Sequence, residues 1–368
     1  MPNEKLMDST VAAAEGACAE NAQVEGAANA AAPDAPAAEK VNLAPEIDMT
    51  ATAIATQKLD SVERPGWLKV VAPAKVNLFL GIGARRDDGY HEATSVMHAL
   101  NLHDLVYIRR EEAALGAGLR VEATLEGRAG LVVPEIPSEQ NIAHKAVVAL
   151  AQKIGRAEDE TVTVRIVKSI PHEAGLGGGS ADAAAALVGA ASLWGIDPYG
   201  AQVEEAARSL GADVAFFLRG GCGCYEGAGE RFARALTPAK TSVVLVKPQG
   251  GVSTGEAYRV FDQGNFVADP AAFDALLQAE RADDVSLLNN LAAASEAIMP
   301  ELAEVRTWLA AQDGVAGVQD VLLCGSGSCT FALCASFSDA MRIVAEAQKR
   351  GWWSRATSLG SIRAAVVS

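Results

Sequence analysis

The chain has 368 residues, half of them hydrophobic, and a formal net charge of -15. That length accommodates two domains of ordinary size with a core each, and the acidic balance excludes a nucleic-acid partner, because phosphate-backbone binding rests on clustered Lys and Arg. No stretch reaches the ~20 uncharged apolar residues of a membrane helix, and no basic region precedes an apolar core at the N-terminus, so the expectation is a cytoplasmic protein with no membrane partner.

Residues 1–62 are Ala-rich, carry acidic residues far in excess of three lysines, and lack apolar periodicity, so they are expected to form a disordered tail that cannot offset chain entropy by burial. Deleting it, with a new start at Ser61, is expected to leave activity intact; a truncated protein that folds but turns over poorly would contradict this. Order is expected from Trp67, where Leu68 to Val71 leads through Pro73 into the alternating run Lys75-Val-Asn-Leu-Phe-Leu80. Alternation puts Lys75 and Asn77 on one face of that strand and Val76, Leu78 and Leu80 on the other.

Val162 to Val167 reads as a second strand running into Pro171-His-Glu-Ala-Gly-Leu-Gly-Gly-Gly-Ser180, after which Ala181 to Trp194 reads as a helix capped by Ser180 and stopped by Gly195. Further helices are predicted over Ala201–Leu210, Ala271–Ala282, Pro300–Ala311 and Ser338–Arg350. Strands are predicted at Val243–Val246, Val321–Cys324 and Thr330–Cys334, the last two flanking Gly325-Ser-Gly-Ser328. A domain boundary is expected at Thr237-Pro238, giving domains of 67–237 and 238–368. The six cysteines form no Cys-x-x-Cys pair and read as small buried apolar residues rather than zinc ligands or disulfides.

A Gly-rich turn between a strand and a helix is suited to phosphate, because glycine lets the backbone approach an anion and the first N–H groups of the helix lack partners. Gly175 to Ser180 is such a turn, although it is neither a Walker A loop, having no Lys before Ser180, nor a dinucleotide fingerprint. Phosphorylating an alcohol needs a carboxylate to receive the hydroxyl proton and a cation to offset developing charge. Lys75 and Asp213 are candidates for those roles; taken singly, Asp213 would read as a helix N-cap and Lys75 as a surface residue.

Ala72-Pro-Ala-Lys-Val-Asn-Leu-Phe-Leu80 continuing to Arg86-Asp-Asp-Gly-Tyr-His91, the loop Ile170 to Ala185, Leu210-Gly-Ala-Asp-Val214 and Gly325-Ser-Gly327 together resemble the GHMP kinase superfamily over Trp67 to the C-terminus. The resemblance implies a two-domain α+β fold with the active site in the inter-domain cleft and ATP on the N-terminal domain. It implies Lys75 and Asp213 as the catalytic pair. ATP would lie on Pro171, His172, Glu173, Ala174, Gly175, Leu176, Gly177, Gly178, Gly179, Ser180 and Ala181, with Asn141 and Lys168 on the nucleotide side. Mg2+ would accompany ATP near Ser180.

Asp-Gly-Tyr-His after Lys-Val-Asn-Leu is similar to the branch acting on a cytidine diphosphate-linked methylerythritol rather than on galactose, homoserine or mevalonate. It implies Tyr90 and Tyr258 flanking a cytosine ring, His91 hydrogen-bonding it and Asn77 holding the methylerythritol end. A kinase for another alcohol and a non-catalytic metabolite sensor are the alternatives, and a monomer and a homodimer are both compatible. Three positions depart from the pattern: Glu173 where a small residue is usual, Ala215 where proline usually follows Asp213-Val214, and Ser328-Cys329 in a loop that often carries proline.

Overall fold

The computed structural model of the chain describes residues 66–367, apart from 88, 129–130, 265 and 314–316. The expected tail, Cys18 and Asp88 lie outside the described residues.

β1 (Leu68–Arg85) pairs antiparallel with β2 (His91–Glu112), and β2 pairs in turn with β4 (Glu160–Lys168), which lies parallel to β3 (Leu119–Gly127). Alternate residues of β4 are buried, the period of a strand with one face on a core. β5 (Cys222–Glu226) and β6 (Arg231–Leu236) extend the sheet beyond β2, while β8 (Leu288–Asn289) and β12 (Ala365–Val367) join β1. The expected boundary at Thr237-Pro238 falls after β6, yet β8 and β12 beyond it return to the first sheet.

Helices α1 (Ile142–Ile154), α2 (Gly178–Leu193), α3 (Ala201–Leu210) and α4 (Ala212–Arg219) pack with that sheet in one core. Every residue of α2 from Ala181 to Ala191 is buried, so the helix is enclosed on all sides rather than amphipathic. Its alanines answer to space as much as to helix propensity: a Cβ on Gly189 would stand 2.5 Å from Ile108 Cγ2 on the sheet.

The second sheet, ordered β11 (Trp353–Ser358), β7 (Ser242–Lys247), β10 (Thr330–Cys334), β9 (Val318–Leu323), is antiparallel and packs with α8 (Glu301–Ala310) and α9 (Phe337–Lys349). Ala257 of α5 (Thr254–Gln263) and Ala294 of α7 (Ala292–Ile298) share a core with Leu80, Ile82 and Leu323, and Leu276 of α6 (Pro270–Gln278) shares one with Phe79 and Phe331. The helix expected over Ala271–Ala282 ends at Gln278, and Ala282–Asp284 forms a separate 3-10 turn. Cys222, Cys224, Cys324, Cys329 and Cys334 are free and buried among apolar side chains, and burial pushes the Cys222 thiol up to about 12. Among the described residues no helix is long and apolar enough to cross a membrane.

His98 is fully buried, donates from Nδ1 to the Ala99 carbonyl at 2.9 Å and accepts the Ala239 N–H at Nε2 at 3.0 Å. Only the neutral ring satisfies both bonds, and burial depresses its pKa below the ordinary 6.5. The folded state therefore binds fewer protons than the unfolded one between that depressed value and about 6.5, so this contribution to stability is lost as pH falls through the window. Thermal midpoints at pH 7 and pH 5 should differ less in His98→Gln than in the parent protein; equal differences would contradict the assignment.

Candidate active site

Gly177, with φ of 71°, ends the loop after β4 and caps α2, which begins at Gly178. Ser180 is thus the third residue of the helix rather than its cap: a left-handed glycine turns the chain a full three residues earlier than the polar-cap reading of Ser180 predicted. Ala181 N–H bonds back to Gly177 O at 2.9 Å, and the preceding N–H groups of the first turn have no intrahelical acceptor. They border a cavity of about 390 Å3 whose wall includes Pro171 through Ser180. Ala181 is buried in the core and is not part of that wall, so its expected ATP contact is not supported by its position.

The loop is held by the hairpin turn between β9 and β10. Ser328 N–H donates to Glu173 O at 3.1 Å and Cys329 N–H to Ala174 O at 3.2 Å. Gly175, at φ of 72°, lies so close to this turn that a Cβ would be 1.8 Å from Cys324 O. We expect Gly175→Ala to raise the KM for ATP by about ten-fold or more, since backbone strain of this kind costs roughly 1–3 kcal/mol; initial rates against ATP concentration check it, and an unchanged KM would contradict it. Glu173 also has positive φ, 49°, a left-handed conformation that only glycine adopts freely. His172 and Glu173 are both more than half exposed and lie 3.6 Å apart, so the carboxylate is largely hydrated rather than buried against the phosphate loop.

Asn141 lies in the same wall, and its Oδ1 caps α1 by accepting Ala143 N–H at 2.9 Å. Lys168 also lines the cavity, but its buried ammonium is ion-paired with Asp104 and, at 2.5 Å, with Asp182. Its place on the nucleotide side of the cavity is as expected, with its charge shared between two carboxylates inside the protein. Asp104 Oδ1 in turn accepts the N–H groups of Ser169 and Ile170, which fixes the start of the loop. Burial alone would lower the Lys168 pKa, but the two carboxylates outweigh it and hold it above the ordinary value. Burial pushes the Asp182 carboxyl up against the opposing Lys168 charge, and its Oδ1 has no hydrogen-bond partner among the described residues.

A second cavity, of about 220 Å3, contains Lys75, Asn77 and Asp213. Lys75 Nζ stands 3.7 Å from Asp213 Oδ2 and donates to Asn77 Oδ1 at 2.7 Å, while Asn77 Nδ2 donates to Ser95 Oγ at 2.8 Å. Asp213 belongs to the first turn of α4, whose N-cap is Gly211, so it is not the cap that a lone Asp suggested. Lys75 is 6% exposed and Asp213 36%, so a buried cation supports a carboxylate that solvent or a ligand can reach. Lys75 N–H also bonds to Leu176 O at 3.0 Å, tying β1 directly to the phosphate loop. Leu80 lines the same cavity, contrary to simple alternation, because a bulge between Asn77 and Phe79 turns Phe79 into the core and Leu80 back to the cleft.

The third cavity, of about 590 Å3, is bordered by Arg85, Tyr90, His91, Tyr258, Arg259 and Asp262 among others. Tyr90 is 66% exposed, whereas His91 is buried with the Tyr258 ring 5.3 Å from it. The central cavity shares Gly175 and Gly177 with the phosphate-loop cavity, and Ala228, Thr254 and Tyr258 with this one. The three therefore form one trough with Lys75 and Asp213 in the middle. The motifs assign no role to Asp104, Ser95, Asp182, Asp262 or the Thr254–Ser326 hydroxyl pair, 2.9 Å apart in the central wall. Asp182 had a signal, as the sole charge in the alanine run after the loop.

Residues 141–221 match the family model for the GHMP kinases N terminal domain. The chain is 38% identical over 291 residues to the 4-diphosphocytidyl-2-C-methyl-D-erythritol kinase of Desulfitobacterium hafniense, covering 77% of this chain and 93% of that one. To the enzyme of the same name from Mycobacterium tuberculosis it is 36% identical, covering 78% and 88%. A crystal structure of 4-(cytidine 5'-diphospho)-2C-methyl-D-erythritol kinase superposes with a TM-score of 0.61 at 30% identity, covering 80% of this chain and 99% of that one. A homoserine kinase from Cytophaga hutchinsonii superposes with a TM-score of 0.59 at 18% identity, covering 83% and 98%, which speaks for the fold alone. With identity of this extent across nearly the whole of its relatives and the same fold beneath it, the chain belongs to the GHMP kinase superfamily and, within it, to the family of 4-diphosphocytidyl-2-C-methyl-D-erythritol kinases.

Proposed function

We infer that the protein transfers the γ-phosphoryl group of ATP to the 2-hydroxyl of 4-diphosphocytidyl-2-C-methyl-D-erythritol, giving the 2-phosphate and ADP, in the non-mevalonate route to isoprenoid precursors. The observation that carries this reading is the trough itself. A carboxylate and a buried ammonium 3.7 Å apart stand between a phosphate-suited helix start and an aromatic-walled cavity.

In this reading the triphosphate lies along Gly175 to Ser180, where the N–H groups of the first turn of α2 and its dipole favour negative charge. Pro171 to Ala174 border the rest of the nucleotide with Asn141. The acceptor hydroxyl faces Asp213, which takes its proton as the oxygen–phosphorus bond forms and the bond from the γ-phosphorus to the bridging oxygen breaks. Lys75 offsets charge at Asp213 and on the transferring group, and is held in place by Asn77 and Ser95. Asn77 meets the methylerythritol end, and Tyr90, His91 and Tyr258 meet the cytosine, for which aromatic faces are suited.

Oxygen donors that fit Mg2+ are present on the phosphate side: the Ser180 hydroxyl and Asp182 Oδ1, which is buried without a partner among the described residues. Mg2+ bound there with ATP would neutralise charge on the phosphates. We also propose that 67–237 and 238–368 act as two lobes, the first carrying ATP and completed by β8 and β12 from the second segment, and that the reaction takes place in the cytoplasm.

ADP release with ATP and Mg2+ should occur with the cytidyl substrate and not with homoserine, galactose or mevalonate. Turnover of one of those alcohols instead would discard the cytosine assignment while retaining the phosphotransfer chemistry.

A further inference from the structure

His91 does not stand alone in the base cavity. Its Nε2 lies 2.7 Å from Oδ1 of Asp262 on α5, and Arg85 Nη1 lies 3.7 Å from the other oxygen of that carboxylate. His91, Asp262 and Arg85 all border the cavity, with Tyr258 and Phe261 packed around the imidazole at 5.3 and 5.9 Å. The ring therefore has little freedom to turn, and its polar chemistry is set by what Asp262 takes from it.

We propose that Asp262 is a positioning residue that sets the base preference of the enzyme by holding His91 in the Nε2–H form, which leaves Nδ1 as a hydrogen-bond acceptor. The proposal rests on the functional reading above. An ionised carboxylate can only accept, so the nitrogen facing it must donate, and in a neutral imidazole the other nitrogen then carries the lone pair. An acceptor selects a pyrimidine with an exocyclic amine, as in cytosine. A 4-oxo group, as in uracil, would set lone pair against lone pair. Discrimination of this sort is strong because a mismatched polar contact inside a site leaves groups unpaired. Arg85 contributes by keeping positive charge against the outer side of Asp262.

The test has two arms. In the first, 15N-detected spectra of the protein without substrate at pH 8 should give His91 the shifts of an Nε2–H imidazole, and Asp262→Ala should move them toward a tautomer mixture. An Nδ1–H ring or an imidazolium in the parent protein would overturn the proposal. In the second, kcat/KM is measured for the cytidyl substrate and its uridyl analogue. Asp262→Ala should reduce the cytidyl-over-uridyl ratio by about ten-fold, mainly through KM for the cytidyl compound, as expected for one lost hydrogen-bond preference. Asp262→Asn, which keeps an acceptor oxygen, should retain most of the ratio. An equal loss for both substrates would mean a merely structural role and overturn the proposal. Failure of the parent protein to turn over the cytidyl compound would overturn the functional reading instead, and the tautomer arm would remain readable.

Discussion

Asp213→Asn is expected to lower kcat by about 10²- to 10⁴-fold, the range for loss of a positioned general base, while leaving the affinity for ATP almost unchanged. The amide keeps the size and one acceptor oxygen of the carboxylate but cannot take the hydroxyl proton. Asp213 is partly exposed in the first turn of α4, away from the buried apolar residues of that helix, so the fold should tolerate the change. Lys75 would lose its ion pair at 3.7 Å but keep its bond to Asn77 at 2.7 Å, so the cation stays in the cleft. Steady-state rates combined with ATP titration of the variant check both halves. A kcat within ten-fold of the parent would remove Asp213 from the chemistry, and a large loss of ATP affinity would make its role structural.

Lys168→Met is expected to have the largest effect on stability, a loss of about 3–5 kcal/mol, as when one partner of a buried ion pair is removed. Asp104 is wholly buried and Asp182 is 3% exposed, so neither can turn to water when the ammonium is gone. Burial already pushes the Asp182 carboxyl up against the opposing Lys168 charge, and removing that charge pushes it further. Stability carried by protonated carboxyls is greatest at low pH and lost as pH rises, so the deficit of the variant should be larger at pH 8 than at pH 6. Urea unfolding at the two pH values measures this. A deficit below about 1 kcal/mol, or one independent of pH, would mean that the buried pair is not braced as the distances indicate. Because Asp104 also holds the Ser169 and Ile170 N–H groups, ATP binding should weaken in the same variant.

What the sequence disclosed about this molecule depended on how local the determinant was. The helix at Ala201–Leu210 and the strand at Thr330–Cys334 were legible because apolar spacing and flanking glycines mark them within one short window. Lys75, Asn77, Asp213 and the glycine loop were legible as chemistry because each sits in a recognisable motif, and the structure brings them to one trough. The bulge after Asn77 was not, since its register depends on pairing with β2 and reverses the side that Leu80 faces. The long strand β2 went unread for a similar reason: His98, Asn101, His103 and Asp104 interrupt its apolar pattern, and His98 and Asp104 are paid for by partners at Ala239 and Lys168 far along the chain. Asp182 and Asp262 act through residues 14 and 171 positions away, Lys168 and His91 respectively, and no window around either one reveals its partner.

Phosphoryl transfer to the methylerythritol hydroxyl is read by 31P NMR of the reaction with 4-diphosphocytidyl-2-C-methyl-D-erythritol, ATP and Mg2+. One new phosphomonoester signal is expected, coupled to the methylerythritol portion, with the diphosphate intact and ADP formed in equal amount. ADP without that signal, a phosphomonoester on the ribose, or no ATP-dependent product at all would contradict it.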